Sequence, residues 1–167
     1  MTREFQVRRA RTPDVRVIRD LVTPMAESGR IVAKDAVTYY EAVHEFRVVE
    51  VDGVVVGCGA VHVMWEDLAE VRTVAVHPAY KGHGLGSALL TTLLQDARKL
   101  GVARVFCLTF ETGFFGRHGF EPIDGQAVEP EVYVELLRSY DEGVAEFLDL
   151  ERVKPNTLGN TRMLLTL

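Results

Sequence analysis

Cysteine is scarce in this sequence, tryptophan scarcer, and no long uncharged apolar run occurs in its 167 residues. The two cysteines, Cys58 and Cys107, stand inside apolar stretches with no C-x-x-C spacing and no histidine pairing. That fits two buried thiols better than a disulfide or metal framework. A membrane-spanning helix needs roughly 18 to 20 consecutive apolar residues. The densest run here, Val54 to Met64, is interrupted by Gly57 and Gly59 and reads as a strand. Positive charge is also short: 19 Lys and Arg face 24 Asp and Glu, a formal charge of −5. Nucleic-acid binders usually carry a basic face, so that class is set aside, although a local anion site remains compatible. Low-complexity tracts are missing and 47% of the residues are apolar, which excludes a disordered chain. The arginines of the first nineteen residues invite a transit-peptide reading, but Glu4, Asp14 and Asp20 break it. The expectation is one domain over residues 1–167, cytoplasmic, with no metal site.

What is present reads as a mixed α/β order. Phe5 to Ala10 has the length of a first strand. Thr12-Pro13-Asp14 offers an N-cap, a proline at the first helical position and an acid in the first turn. Val15, Ile18, Leu21, Val22 and Met25 follow at helical spacing, with Pro24 and Gly29 read as breaks. A shorter helix is expected from Asp35 to about His44. Phe46 to Val51, the Asp52-Gly53 turn and Val54 to Met64 give a strong hairpin signal. Further expectations are a strand from Glu70 to His77, a helix from Gly84 or Leu85 to Leu100, a strand from Val102 to Phe110 and a short helix from Glu111 to His118. The last third is less regular, with helical patterning from Glu131 to about Tyr140 and a closing strand from Arg162 to Leu167.

The most informative segment runs from Val74-Ala75-Val76 through His77-Pro78 to Lys81-Gly82-His83-Gly84-Leu85-Gly86-Ser87. A strand ends, three glycines follow at alternate positions, and an amphipathic helix begins. Glycines let backbone N–H groups converge and a phosphate approach without obstruction from Cβ. The helix N-terminus adds partial positive charge and Lys81 a full one. No Gly-Lys-Ser/Thr is present, so this is not a Walker A loop. Taken alone, the glycines also fit a helix start with no ligand.

Val-His-Pro, the Lys-Gly-x-Gly-Leu-Gly core and the long helix together resemble the GNAT superfamily of acetyl-coenzyme A-dependent N-acetyltransferases. So does Leu108-Thr109-Phe110-Glu111 through Phe115-Gly116-Arg117-His118-Gly119-Phe120. The resemblance covers nearly the whole chain and implies a mostly antiparallel central sheet flanked by helices, with acetyl-CoA as cosubstrate. It places the cofactor on Val74, Ala75, Val76, Lys81, Gly82, His83, Gly84, Leu85, Gly86, Ser87 and Phe115. The family often has Gln or Arg where Ala79 stands, and commonly a Tyr where Phe115 stands, a group that often protonates the leaving thiolate. Phe115 has no proton to give, so the thiolate leaves with another group's help or unassisted.

Finer matches resemble N-acetylglutamate synthases. They are Leu21-Val22-x-Pro24-Met25-x-x-x-Gly29, Val56-Gly57-Cys58-Gly59-Ala60, Ala69-Glu70-Val71-Arg72-x-Val74, Leu108-Thr109-x-x-Thr112 and Gly159-Asn160-Thr161. Many such enzymes carry an N-terminal amino-acid-kinase domain; this chain resembles the short, stand-alone form. The resemblance implies acetylation of the α-amine of L-glutamate, or of L-glutamine, by direct attack in a ternary complex at the head of arginine biosynthesis. It implies Glu70 as the base, directly or through water, and Thr73 and Thr109 as polar groups facing the reacting centre. On the residues alone, Glu70 equally reads as a strand-end acid beside Arg72, and the threonines as structural β-branched residues. Lys34, His62, Arg72, Asn160, Thr161 and Arg162 are the acceptor-side candidates. The segment Tyr140-Asp141-x-Gly143-Val144 suggests a substrate-side loop or a dimer contact, and a homodimer is compatible with the sequence. Two other readings stay open: a GNAT enzyme for another small amine or a protein N-terminus, and a non-catalytic acyl-CoA sensor.

Overall fold

The computed structural model describes residues 4–28 and 34–167. Among them, seven strands form one sheet in the order β1-β2-β3-β4-β5-β7-β6. The strands are β1 (Phe5–Arg9), β2 (Phe46–Val51), β3 (Val54–Trp65), β4 (Leu68–Val76), β5 (Arg104–Thr109), β6 (Glu121–Pro122) and β7 (Thr161–Thr166). The helices are α1 (Val15–Glu27), α2 (Ala36–Glu41), α3 (Leu85–Leu100), α4 (Thr112–Arg117), α5 (Pro130–Leu136), α6 (Glu142–Phe147) and α7 (Lys154–Thr157). β1 and β2, β2 and β3, β5 and β7, and β6 and β7 pair antiparallel, while β4 and β5 pair parallel through Leu68–Glu70 and Arg104–Phe106. The mixed, mostly antiparallel sheet with flanking helices is the architecture that the motifs imply.

The chain divides into two compact units. The first comprises Met1–His62 with Val71–Asp96. Its core gathers Val15, Ile18 and Val22 of α1, Tyr39 of α2, and Phe46, Val48, Cys58, Ala60 and Ala75 from the strands. The Asp52-Gly53 turn has φ of 52° and 78°, the left-handed pair that a two-residue hairpin demands. Gly59 is required by close packing rather than by φ, because a Cβ there would lie 2.8 Å from Leu93 Cδ1 and 3.3 Å from Val74 Cγ2. The absence of that methyl lets α3 sit close on the strand.

The second unit comprises Val63–Glu70 with Ala97–Leu167. Met64, Leu68, Phe106, Leu136, Val144, Phe147 and Leu148 form its core. Phe106 and Phe147 meet edge to face at 5.1 Å between centroids.

Three expectations change. α1 runs through Pro24 to Glu27 instead of breaking at Pro24, since the missing N–H costs one bond near the helix end and the apolar face continues; Gly29, the other expected break, lies outside the described residues. Arg11, not Thr12, holds the N-cap position of the turn Thr12–Asp14, and the Asp14 carboxylate accepts from the Arg11 N–H at 2.7 Å. Arg8 donates to both oxygens of that carboxylate and to Glu50, at 2.8–3.0 Å. Asp141-x-Gly143-Val144 opens a helix: the Asp141 side chain accepts from Val144 N at 3.1 Å, and Val144 joins the core. Tyr140 beside it is 98% exposed.

Candidate active site

The glycine-rich turn in the first unit is built as follows. β4 ends at Val76, and the His77 N–H donates to Val56 O at 2.7 Å. His77 Nδ1 accepts from Ala79 N at 3.1 Å and so caps the turn Pro78–Tyr80. The ring of Tyr80 then leans edge-on against His77 at 5.9 Å. Lys81, Gly82, His83 and Gly84 are all exposed, and α3 begins at Leu85. Gly82 and Gly84 have φ of +81° and +79°, values that a side chain rarely adopts. A Cβ at either would meet nothing within 4 Å, so the space before the helix is open. An open, doubly left-handed turn leading into a sixteen-residue helix, with a lysine beside it, fits a pyrophosphate. Leu85 is buried and anchors the helix start, and Ser87 is exposed on the first turn.

Just upstream, β4 holds an outlier. Thr73 has φ +59°, although it is β-branched and lies inside a strand. Such a conformation costs of order 1–3 kcal/mol and persists only when its surroundings impose it. Part of that support is the Cys58 thiol, which donates to the Thr73 carbonyl at 3.4 Å. Burial pushes that thiol up to about 12, so it stays a neutral donor. Burial still alternates through Thr73: Val71, Thr73 and Ala75 are buried while Arg72, Val74 and Val76 are half-buried. Lys34, half-buried, precedes the Asp35 N-cap of α2. His62, on β3, contacts both carboxylate oxygens of Glu45 through Nδ1, at 2.9 and 3.1 Å.

In the second unit, Glu70 is 3% exposed on β4 opposite Phe106. A carboxylate so placed is held there against a desolvation cost. The neighbouring Cys107 thiol is raised by burial and, secondarily, by the charge of Glu70. Thr109 and Thr161 are directly opposed in the β5–β7 register, as are Leu108 and Arg162. Thr109 Oγ1 accepts from Glu111 N at 2.7 Å and thereby shapes the entry to α4. Phe115, on α4, is 6% exposed, with its ring packed edge-on against Phe114 and Phe120.

The Asn160-Thr161-Arg162 segment follows Gly159, whose φ is +80°. Asn160 Oδ1 and Arg162 Nε are buried without a hydrogen-bond partner among the described residues. Arg162 Nη2 donates to the carbonyls of Gly125 and Phe147, and burial lowers its pKa. Part of this guanidinium is therefore spent on holding backbone. The register thus brings Thr109 and Thr161 together, whereas Arg162, the next residue along β7, leaves from the opposite face of the sheet. Sequence reasoning missed Glu45: it lies 17 residues from His62 on a different element, and no spacing rule joins the two.

The family model described as Acetyltransferase (GNAT) family matches residues 16–120. The amino-acid acetyltransferase of Mycobacterium tuberculosis is 61% identical over 165 residues, which cover 96% of this chain and 94% of that protein. The amino-acid acetyltransferase of Aeromonas salmonicida is 32% identical over 121 residues, 71% of this chain but 27% of that longer protein. Among solved structures, Rv2747 of M. tuberculosis in complex with CoA and NLQ superposes with a TM-score of 0.94 at 59% identity, covering 97% of this chain and 99% of that one. The N-acetylglutamate synthase of Neisseria gonorrhoeae with coenzyme A and N-acetyl-glutamate shares the fold, with a TM-score of 0.77 at 23% identity over 98% of this chain and 35% of that one. The chain belongs to the Acetyltransferase (GNAT) family.

Proposed function

We propose that this chain is an amino-acid acetyltransferase that moves the acetyl group of acetyl-CoA to the α-amine of L-glutamate, with L-glutamine as the alternative acceptor. The observation that carries the reading is the open turn of Lys81-Gly82-His83-Gly84 at the head of α3. The identity to the M. tuberculosis amino-acid acetyltransferase over nearly its full length supports the choice of acceptor class. N-acetylation of glutamate would place the enzyme at the entry to arginine biosynthesis, in the cytoplasm.

In this reading residues 81–87 hold the pyrophosphate. Backbone N–H groups of Val74 and Val76, flanking Ala75, hold the pantetheine and the acetyl carbonyl, and Phe115 belongs to the cofactor side. The positive φ at Thr73 marks an irregular point in β4, the strand whose backbone this reading assigns to the ligand. The reaction asks for a free amine, attack on the thioester carbon and relief of charge on the oxyanion. Glu70 serves as base, directly or through water, with Thr73 and Thr109 as the polar groups beside the reacting atoms. Lys34, Arg72, Asn160, Thr161 and the unpaired edge of Arg162 supply the acceptor's polar contacts, and His62 lies on the acceptor side. Attack is direct, since both cysteines are buried and neither thiol is a ready nucleophile. Mass spectrometry of the product tests the reading. It predicts one acetyl group on the α-nitrogen of the amino acid. Acetyl-enzyme with no acetylated amino acid would contradict it.

A further inference from the structure

The left-handed residue of β4, Thr73, has a fitted counterpart on β3, within the same compact unit. Gly57, Cys58 and Gly59 lie along the end of β4, and each meets a different part of it. A Cβ at Gly57 would lie 3.3 Å from Ala75 O and 3.5 Å from Val76 Cγ2, and one at Gly59 would lie 3.3 Å from Val74 Cγ2. Neither glycine has a positive φ, so what both supply is close approach of the strands. Between them stands a single side chain, that of Cys58, fully buried. Its thiol donates to the Thr73 carbonyl at 3.4 Å, and the Ala75 N–H donates to the sulfur. The sulfur thus touches the backbone on both sides of Val74.

A β-branched residue at φ +59° relaxes unless its surroundings hold it. Its buried carbonyl also needs a donor, because a buried backbone group left without a partner costs as much as a lost hydrogen bond. A thiol meets both demands in a narrow space. It donates and accepts, and it is small enough to stand where two glycines draw the strands together. Burial pushes it up to about 12, so it keeps its proton and its donor role throughout the neutral range.

We propose that Cys58 is a positioning residue for acetyl transfer: by its bond to the Thr73 carbonyl it holds the left-handed point of β4 and so fixes the direction of the backbone at residues 74–76. This rests on the reading above, in which the N–H groups of Val74 and Val76 hold the acetyl carbonyl and the pantetheine. That reading puts the pyrophosphate further along, on residues 81–87. A change confined to residues 73–76 therefore acts on the thioester end of the cosubstrate and spares the phosphate end. No bond to the sulfur forms or breaks in the reaction.

The experiment compares Cys58→Ala with Cys58→Ser, each alone and combined with Thr73→Gly, with circular dichroism to verify folding. Both replacements remove the sulfur, and only serine keeps a hydrogen for the Thr73 carbonyl. Glycine at position 73 adopts the left-handed conformation without strain and needs no holding. Thr73→Asn, which also tolerates this φ, replaces it if the glycine variant is too slow to assay. Cys58→Val replaces Cys58→Ala if the alanine variant does not fold. Thiol release at saturating substrates gives kcat, and calorimetry with coenzyme A gives the affinity of the phosphate end. Cys58→Ala is expected to be about five- to tenfold slower than Cys58→Ser, with coenzyme A affinities equal within about twofold. On the Thr73→Gly background, whatever its own rate, the gap is expected to shrink below about twofold. Equal kcat for the folded alanine and serine variants would overturn the proposal, and so would a gap that stays undiminished on Thr73→Gly, since the thiol would then only fill space. Either result alongside an active wild-type protein sinks the positioning role alone. Should the wild-type protein release no thiol with any amino acid, the acetyltransferase reading fails first, and the role of Cys58 in it falls as well.

Discussion

Arg47 on β2 grips Asp96 on α3 with two hydrogen bonds, Nε to Oδ2 and Nη2 to Oδ1, both at 2.7 Å. Arg47 is also the cross-strand partner of Gly59, the residue whose missing Cβ admits Leu93 and Leu89 of the same helix. The helix that opens with the glycine-rich turn is therefore seated twice, by a hollow in the sheet and by a two-pronged ion pair. The two side chains are only 15% and 14% exposed, so removing one charge strands the other. Asp96→Asn is expected to cost about 2 to 4 kcal/mol in urea unfolding. Replacing both residues by apolar ones, as Arg47→Met with Asp96→Leu, is expected to cost less than the single change.

The turn itself makes a sharper test. Gly84 sits at φ +79°, where a β-branched residue is strained, and its space is open. Gly84→Val places a branched side chain where a phosphate would approach. Calorimetry is expected to show acetyl-CoA binding weakened by about tenfold or more, equivalent to 1.4 kcal/mol. Unchanged affinity in a folded variant would move the phosphate elsewhere.

Much of this site was legible because its signals are local. Asp52-Gly53 announces a hairpin, and Lys81-Gly82-His83-Gly84 announces an open turn, because each requires φ values that few residues adopt. Leu85, Leu89, Leu93 and Ala97, spaced by four, announce the helix that follows. Thr73 was not legible, since a β-branched residue in an apolar strand carries no hint of φ +59°. Glu45 and His62 were not legible as a pair, because their meeting is tertiary. The two-residue strand β6 exists only through its pairing with Leu164 and Met163. α6 was missed although Asp141 is an ordinary N-cap, because the helix is short and its apolar residues Val144, Phe147 and Leu148 give a single turn of pattern.

Glu70 offers a kinetic prediction. Glu70→Gln removes a buried carboxylate's charge while keeping its shape. If that carboxylate handles a proton in the transition state, kcat falls by roughly 10² or more. Steady-state rates at saturating substrates measure this, and a wild-type rate would leave Glu70 a structural acid.

Acid stability should carry the mark of Asp14. The Arg8 guanidinium beside it, with help from the Arg11 N–H, holds its carboxyl below the usual carboxylate range. The unfolded chain then binds the proton more readily than the folded one, so stability rises with pH through this window. The contribution is fully present above about pH 4, the ordinary aspartate value, and is lost as pH falls through the lower folded value. Asp14→Asn is expected to lower the Tm near neutral pH and to flatten its decline below about pH 4, as followed by thermal melts.

The most direct measurement is thiol release from acetyl-CoA with each of the twenty free amino acids in turn. The account predicts release that depends on L-glutamate or L-glutamine and is weak or absent with lysine and with simple amines. Binding of acetyl-CoA with no release for any amino acid, or release only with a peptide N-terminus or a polyamine, would contradict it.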